Sequence, residues 1–245
     1  MDISVLQWDS EFFKRPVAKI SISANEDIDL AETLVHCTQQ NYKLLYFFID
    51  NENEIVTKKI QKQLGLPINQ KIIFDITDLS GENIQLQPNA SLSYKLLQRE
   101  EADKIYNRIV ALTIKAGTFS RFKLDEKIEQ HYFEEMYRIW VKALLYNSNY
   151  STIVIEDTTK PDDEIIGFIA YKIIEVGYKI DFMSISDDYK KQGLGKALIK
   201  KMTEQITTQN YVITEIHQQN IGAYNFFTNL GFAVKQTIDI YHVHF

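Results

Sequence analysis

The sequence predicts an α/β (α+β) protein built on a mixed central sheet flanked by helices, with a smaller α/β lobe ahead of the main one. Short apolar runs of strand length alternate with helical periodicity, a polar segment from Gly81 to Asn89 divides the chain, and a Gly-x-Gly turn joins an apolar strand to an amphipathic helix late in the second part. With 245 residues, 45% hydrophobic and 12% aromatic, the chain can fill one large core or two modest ones.

In the first part, Ile3 to Leu6 and Val17 to Ser23 have strand patterning, and Leu30, Leu34 and Cys37 give Asp29 to Tyr42 a helical stripe. Leu44 to Asp50 is an apolar strand, Asn53 to Leu64 a polar-faced helix stopped by Gly65-Leu66-Pro67, and Lys71 to Asp75 a further strand. The polar segment sets the expected boundary, with a first lobe over residues 1–88 and a main domain over 90–245.

The second part begins with a strand at Ser91 to Leu97, then helices from about Arg99 to Ala116 and from Leu124 to Tyr146. Strands follow at Thr152 to Glu156 and Ile165 to Ile174, joined by a turn over Thr158 to Asp163, and at Lys179 to Ser186. The chain continues as a helix from Gly193 to Thr208, a strand from Tyr211 to His217, a helix from Ile221 to Leu230 and a strand from Val234 to Phe245. The two parts echo each other. Tyr46 to Thr77 and Ile213 to Phe245 both run strand, Asn-led helix, Leu-Gly-apolar stop, strand, which suggests a duplicated half-fold. The first copy has no Gly-rich loop, since only Gly65 and Gly81 precede Gly117.

Composition narrows the function. A net charge of −6 lacks the concentrated positive field that nucleic-acid backbones require. The single cysteine, Cys37, closes no intramolecular disulfide and forms no metal-ligand pair, so no metal is expected. No basic-then-apolar leader follows Met1, and no uncharged run reaches the roughly 18 residues of a membrane span, so a soluble, unprocessed, cytoplasmic protein is expected.

The sharpest local signal is Asp187 to Leu198. Gly193-Leu194-Gly195 at a helix start lets backbone approach a ligand closely while unpaired N–H groups point outward. The helix dipole adds to the amides of Gln192 to Lys196, and Lys190, Lys191 and Lys196 bring full charges, an arrangement suited to a pyrophosphate. An ordinary strand-to-helix turn with solvated lysines is the alternative. A Rossmann fingerprint fails because Leu198 stands where its third glycine belongs, and a Walker loop fails for want of an earlier glycine.

This loop resembles motif A of the GNAT acetyltransferases, Arg/Gln-x-x-Gly-x-Gly/Ala, with Lys190 in place of the first Arg or Gln. The stretch from Asn220 to Phe232 resembles the family's motif B, Asn-x-x-Ala-x-x-Phe/Leu-Tyr-x-x-x-Gly-Phe. Asn220 can cap its helix, Ala223 permits close approach of a pantetheine arm, and Gly231 gives a left-handed stop. The resemblance implies the GNAT fold, acetyl-CoA as cofactor and transfer of its acetyl group to an amine. It also implies pantetheine pairing with the backbone of Met183 and Ile185, with the Ile185 N–H as oxyanion donor and both side chains in the core.

An attacking amine must lose a proton, and a departing thiolate often receives one. The family's usual donor is a tyrosine of motif B, but Phe227 occupies that position here. Tyr224, one helical turn away, is the candidate substitute; otherwise the thiolate leaves unassisted. Candidates for the base are Asp181, Ser184, Glu215 and His217, with His217 ending its strand and Glu215 sharing its face.

Val5 to Phe13 and Phe119-Ser120-Arg121-Phe122 are similar to the corresponding segments of the dTDP-4-amino-4,6-dideoxygalactose (TDP-fucosamine) N-acetyltransferases. That similarity implies a nucleotide-linked amino sugar as acceptor. Ser120, Arg121 and Phe122 would line its pocket, with the Arg121 fork suited to phosphate and the aromatics to stacking. Three classes stay open: a sugar-nucleotide N-acetyltransferase, an N-acetyltransferase for another amine, and a CoA-binding module without catalysis. The sequence leaves a homodimer open.

Overall fold

The computed structural model describes residues 3–79, 84, 89–161, 164–206 and 211–245. The first lobe runs β1 (Ile3–Val5), α1 (Gln7–Phe12), β2 (Val17–Ile22), α2 (Leu30–Gln39), β3 (Leu44–Asp50), α3 (Glu54–Leu64) and β4 (Asn69–Ile76). The second runs β5 (Leu92–Leu96), α4 (Ala102–Ala116), α5 (Arg121–Leu124), α6 (Gln130–Tyr146), β6 (Tyr150–Asp157), β7 (Glu164–Ile174), β8 (Gly177–Ile185), α7 (Leu194–Thr203), β9 (Val212–His217), α8 (Ile221–Asn229) and β10 (Ala233–His244). The two echoing helices start alike: Asn53 accepts from the Val56 N–H and Asn220 from the Ala223 N–H. Both are followed by a glycine of positive φ, Gly65 and Gly231.

The strands form one mixed ten-stranded sheet in the order β1-β2-β3-β10-β4-β9-β8-β7-β6-β5. The order is nearly symmetric about the β10/β4 pair. β2 lies parallel to β3 as β8 lies parallel to β9, and β1 and β7 flank them antiparallel. The lobes exchange their last strands: β4 pairs with β9 of the second lobe, while β10 pairs with β3 of the first. The two parts of the chain therefore share one continuous sheet, each completed by a strand of the other.

Helices cover the sheet. The α2 and α3 helices seal one cluster with Ile20, Phe47 and Ile60, and α7 packs Leu198 and Ile199 into another with Phe74 and Val212. A further cluster joins the lobes, because Phe13 and Tyr46 of the first pack with Phe122, Phe133 and Tyr137 of the second. No helix among the described residues is long and apolar enough to cross a membrane.

Two elements differ from expectation. The helix foreseen from Leu124 begins at Gln130, because buried Asp125 takes the Lys127 N–H on its own side chain and turns the chain out of helix. The stretch Gln7 to Phe12 is a short helix in which Trp8 stacks on Phe12 at 5.0 Å. The helix expected to run to Thr208 ends at Thr203, and residues 207–208, most of the polar segment 81–89 and the end of the turn at 162–163 lie outside the described residues.

Candidate active site

The loop after β8 has the conformation its glycines suggested. Lys191 and Gly193 both have positive φ, 62° and 79°, which turns the backbone into a concave rim ahead of α7. The first-turn N–H groups of α7 have no intrahelical acceptor and open on this rim. A side chain at Gly193 would meet nothing within 4 Å, so its φ alone requires glycine. At Gly195 the requirement is space: a Cβ would lie 2.9 Å from the Phe226 ring of α8. Lys190 pairs with Asp187 at 2.6 Å. Lys115 and Lys190 together pull the Asp187 carboxyl down to about 2. Gln192 is exposed at the rim, Leu194 anchors the turn in the core, and Lys191 and Lys196 are exposed with no acidic partner among the described residues.

From this rim a cleft of about 1400 Å³ runs to the far side of the sheet. It exists because β8 and β9 pair only from Tyr178/Val212 to Ile180/Thr214 and then diverge. The Ser186 N–H bonds the Ile166 carbonyl at 2.7 Å. By the alternation of an antiparallel ladder, the pairs 183/169 and 185/167 are then non-hydrogen-bonded, so backbone groups of Met183 and Ile185 turn away from β7 toward the gap β9 has left. Across the gap, Asn220, Ala223 and Phe227 of α8 line the cleft. Tyr224 does not: its ring packs edge-on against Phe74, 5.4 Å between centroids. The structure thus fails to bring Tyr224 to the expected donor position, because the helix turns that face to the sheet.

Beyond the gap the antiparallel register sets Lys71 of β4 directly opposite His217, with Glu215 and Asn69 as diagonal neighbours on the same face. Glu215 is held by Lys179 at 2.8 Å and Lys71 at 3.2 Å. Burial alone would raise its carboxyl, but the two lysines outweigh it and leave the group below its usual range. Each Glu215 oxygen is thus occupied by a lysine, Oε1 by Lys179 and Oε2 by Lys71. Asp181 is similarly engaged by Lys172 at 2.7 Å and Tyr150 at 2.5 Å, and the Ser184 hydroxyl donates to the Leu112 carbonyl at 3.1 Å. That leaves His217. Burial, reinforced by Arg121 and Lys71, lowers its imidazolium to about 4, so the ring is neutral at physiological pH. Nδ1 lies 2.8 Å from Asn69 Oδ1.

Ser120 caps α5 by accepting from the Phe122 N–H, and Ser120, Arg121 and Phe122 all line the cleft. The Arg121 guanidinium lies between the rings of Tyr46 and Phe122, 4.0 Å from each centroid. It has no ion pair among the described residues; NH1 donates to His242 Nε2 at 3.0 Å. Behind it, Asp125 Oδ2 receives His242 Nδ1 at 2.6 Å and His244 Nε2 at 2.8 Å. These three could group around a metal ion. However, the Arg121 bond to Nε2 commits His242 Nδ1 to carrying a proton, so the trio is better described as a hydrogen-bonded support for Arg121.

Asn69, Lys71, Asp125 and His242 escaped the sequence reading. Each reaches the cleft's surroundings through strand pairing or a distant loop, and none carries a local signature.

The GNAT acetyltransferase family model matches residues 118–232. In structure the chain is similar to a conserved protein of unknown function from Staphylococcus epidermidis (12% identity, TM-score 0.61, 94% of this chain and 84% of that one). It is also similar to a GCN5-related N-acetyltransferase from Sphaerobacter thermophilus (10%, 0.59, 99% and 76%). A tandem GNAT protein from the clavulanic acid biosynthesis pathway is a third likeness (9%, 0.58, 94% and 75%). At these identities the likeness is one of fold. No protein of curated function matches the sequence.

Proposed function

We propose that the chain, whose residues 118–232 match the GNAT acetyltransferase family model, is an acetyl-CoA-dependent N-acetyltransferase, and that its cleft transfers an acetyl group to an amine whose proton is taken by His217. The observation that carries this reading is the continuity of one cleft from the Gly193 rim, past the backbone of Met183 and Ile185, to His217 and Arg121. The residues present fit the cofactor. Gln192 to Lys196 offer amides and Lys191 and Lys196 offer charge to a pyrophosphate, Lys190 is held back by Asp187, and the parted strands expose backbone groups for a pantetheine arm. Bound acetyl-CoA would supply the thioester carbonyl.

The chain's own residues supply the rest. The Ile185 N–H is assigned as donor to the carbonyl oxygen, and His217, neutral and facing the cleft, accepts the amine proton. Glu215 stays ionised between its lysines and shapes the local charge. No tyrosine of α8 serves the departing sulfur, so departure is unassisted.

For the acceptor, we favour an amine that also bears an anion, of which a nucleotide-linked 4-amino sugar is the finer candidate. A guanidinium stacked between two rings, with Asp9 and Asp125 close enough to act on its charge but no direct ion pair among the described residues, suits a phosphoryl or carboxylate group, and the Phe119–Phe122 resemblance suggests the sugar nucleotide.

The test is acetyl-CoA consumption against a panel of amines with and without anionic groups, 4-amino-sugar nucleotides included. Expected are turnover of the anionic acceptors, loss of acetyl-CoA binding in Gly193→Asp, and a fall in kcat of roughly 10²-fold or more in His217→Gln. Full activity in His217→Gln would remove the base from this reading.

A further inference from the structure

His217 has two ring nitrogens, and among the described residues the protein makes a hydrogen bond to one of them. Nδ1 stands 2.8 Å from Asn69 Oδ1. Which atom bears the proton follows from the orientation of the amide. Asn69 Nδ2 lies 2.7 Å from the Phe119 carbonyl oxygen and 3.3 Å from Gln219 Oε1, and both of those atoms are acceptors. The Gln219 amide can turn to suit its neighbour, but the Phe119 carbonyl can only accept, and a turned-over Asn69 would set its own oxygen against it with no proton between them. Asn69 is fully buried, so a hydrogen bond lost there would not be replaced by water. Oδ1 therefore faces the imidazole, and the imidazole must donate.

We propose that Asn69, a residue of the first lobe, is a positioning residue for acetyl transfer: it holds His217 as the Nδ1–H tautomer and thereby presents Nε2 as a lone pair to the attacking amine. The inference rests on His217 being the proton acceptor. Asn69 does not line the cleft, so it acts through the ring rather than on the substrate. The strand exchange makes the contact, since β4 belongs to the first lobe yet pairs with β9, and the register leaves Asn69 diagonal to His217 on one face. Burial acts in the same direction. A neutral ring must have one bare nitrogen, and the amide decides which one it is.

The full chain labelled with ¹⁵N-histidine tests this, with His217 assigned by comparison to His217→Gln. At pH 7 the two-bond proton–nitrogen spectrum should show His217 protonated at Nδ1 and bare at Nε2. Asn69→Ala should lose that preference and lower kcat by about 10- to 100-fold with the KM for acetyl-CoA unchanged. A wild-type spectrum with the proton on Nε2 overturns the proposal without any variant. So does Asn69→Ala with unchanged tautomer and kcat while His217→Gln is inactive. A fully active His217→Gln removes the proton acceptor itself, and the spectrum then records only a structural hydrogen bond.

Discussion

Tyr224 and Phe227 sit three residues apart on α8 in different surroundings: Phe227 lines the cleft from within an aromatic cluster, and Tyr224 presses on Phe74. Tyr224→Phe should therefore keep kcat within about two-fold of wild type, since loss of a true general acid costs roughly 10²-fold or more. A fall of that larger size, with acetyl-CoA affinity preserved, would put a proton donor back on α8. The residues of the Gly193 loop and of α8 were legible in the sequence because their backbone requirements are local. A positive φ asks for glycine at Gly193, a helix start asks for Asn220, and a stop asks for Gly231. Asn69 answers to no such local need. It meets His217 from 148 positions away, a separation that no spacing rule detects.

At the level of elements, most strands and helices followed from periodicity, and the misplaced start of α6 shows where that signal stops. Asp125 is used to break the helix and to hold His242 and His244, which fastens β10 to the loop after α5. This fastening has a pH signature. Burial lowers His242 to about 4, although Asp125 pulls the other way, and burial likewise lowers His217 to about 4. Both rings take up a proton more readily in the unfolded chain, near pH 6.5, than in the folded one. Stability should thus be full above about pH 6.5 and decline as pH falls toward 4, by up to about 3 kcal/mol for each ring. Thermal melts between pH 7 and 4.5 check this, and His242→Gln, an uncharged hydrogen-bonding replacement, should flatten the decline. A wild-type melting temperature that holds steady over that range would contradict the assignment.

For the whole molecule, the exchanged strands and the Phe13–Tyr46–Phe122–Phe133–Tyr137 cluster make each lobe part of the other's core. Unfolding should then be a single transition. The two tryptophans allow a direct check, since Trp8 lies in the first lobe and Trp140 in the second. Trp8→Phe and Trp140→Phe leave one fluorophore each, and the two should report the same midpoint; two separated midpoints would mean independent lobes. The pairing pattern also bears on stoichiometry. β2 and β3 stay paired over Val17/Leu44 to Ile22/Ile49 and do not part as β8 and β9 do, so no slot opens between β2 and β3. Calorimetry should find about one CoA per chain, and a second site of comparable affinity would contradict this. The echo between the halves was legible in the sequence. The exchange was not, because β4 and β10 have the same strand patterning whichever lobe they join.

The place of β10 also has a consequence for biosynthesis. During translation β3 and β4 leave the ribosome well before β10 has been made, yet β10 is the strand that lies between them. Until it arrives, both strands present unpaired edges of the kind that template aggregation. The nascent first lobe must wait with a gap in its sheet, and closing that gap is a long-range, intrinsically slow step. The chain is therefore expected to depend most on chaperones during this interval, after the first lobe has emerged and before the strand that completes it is available.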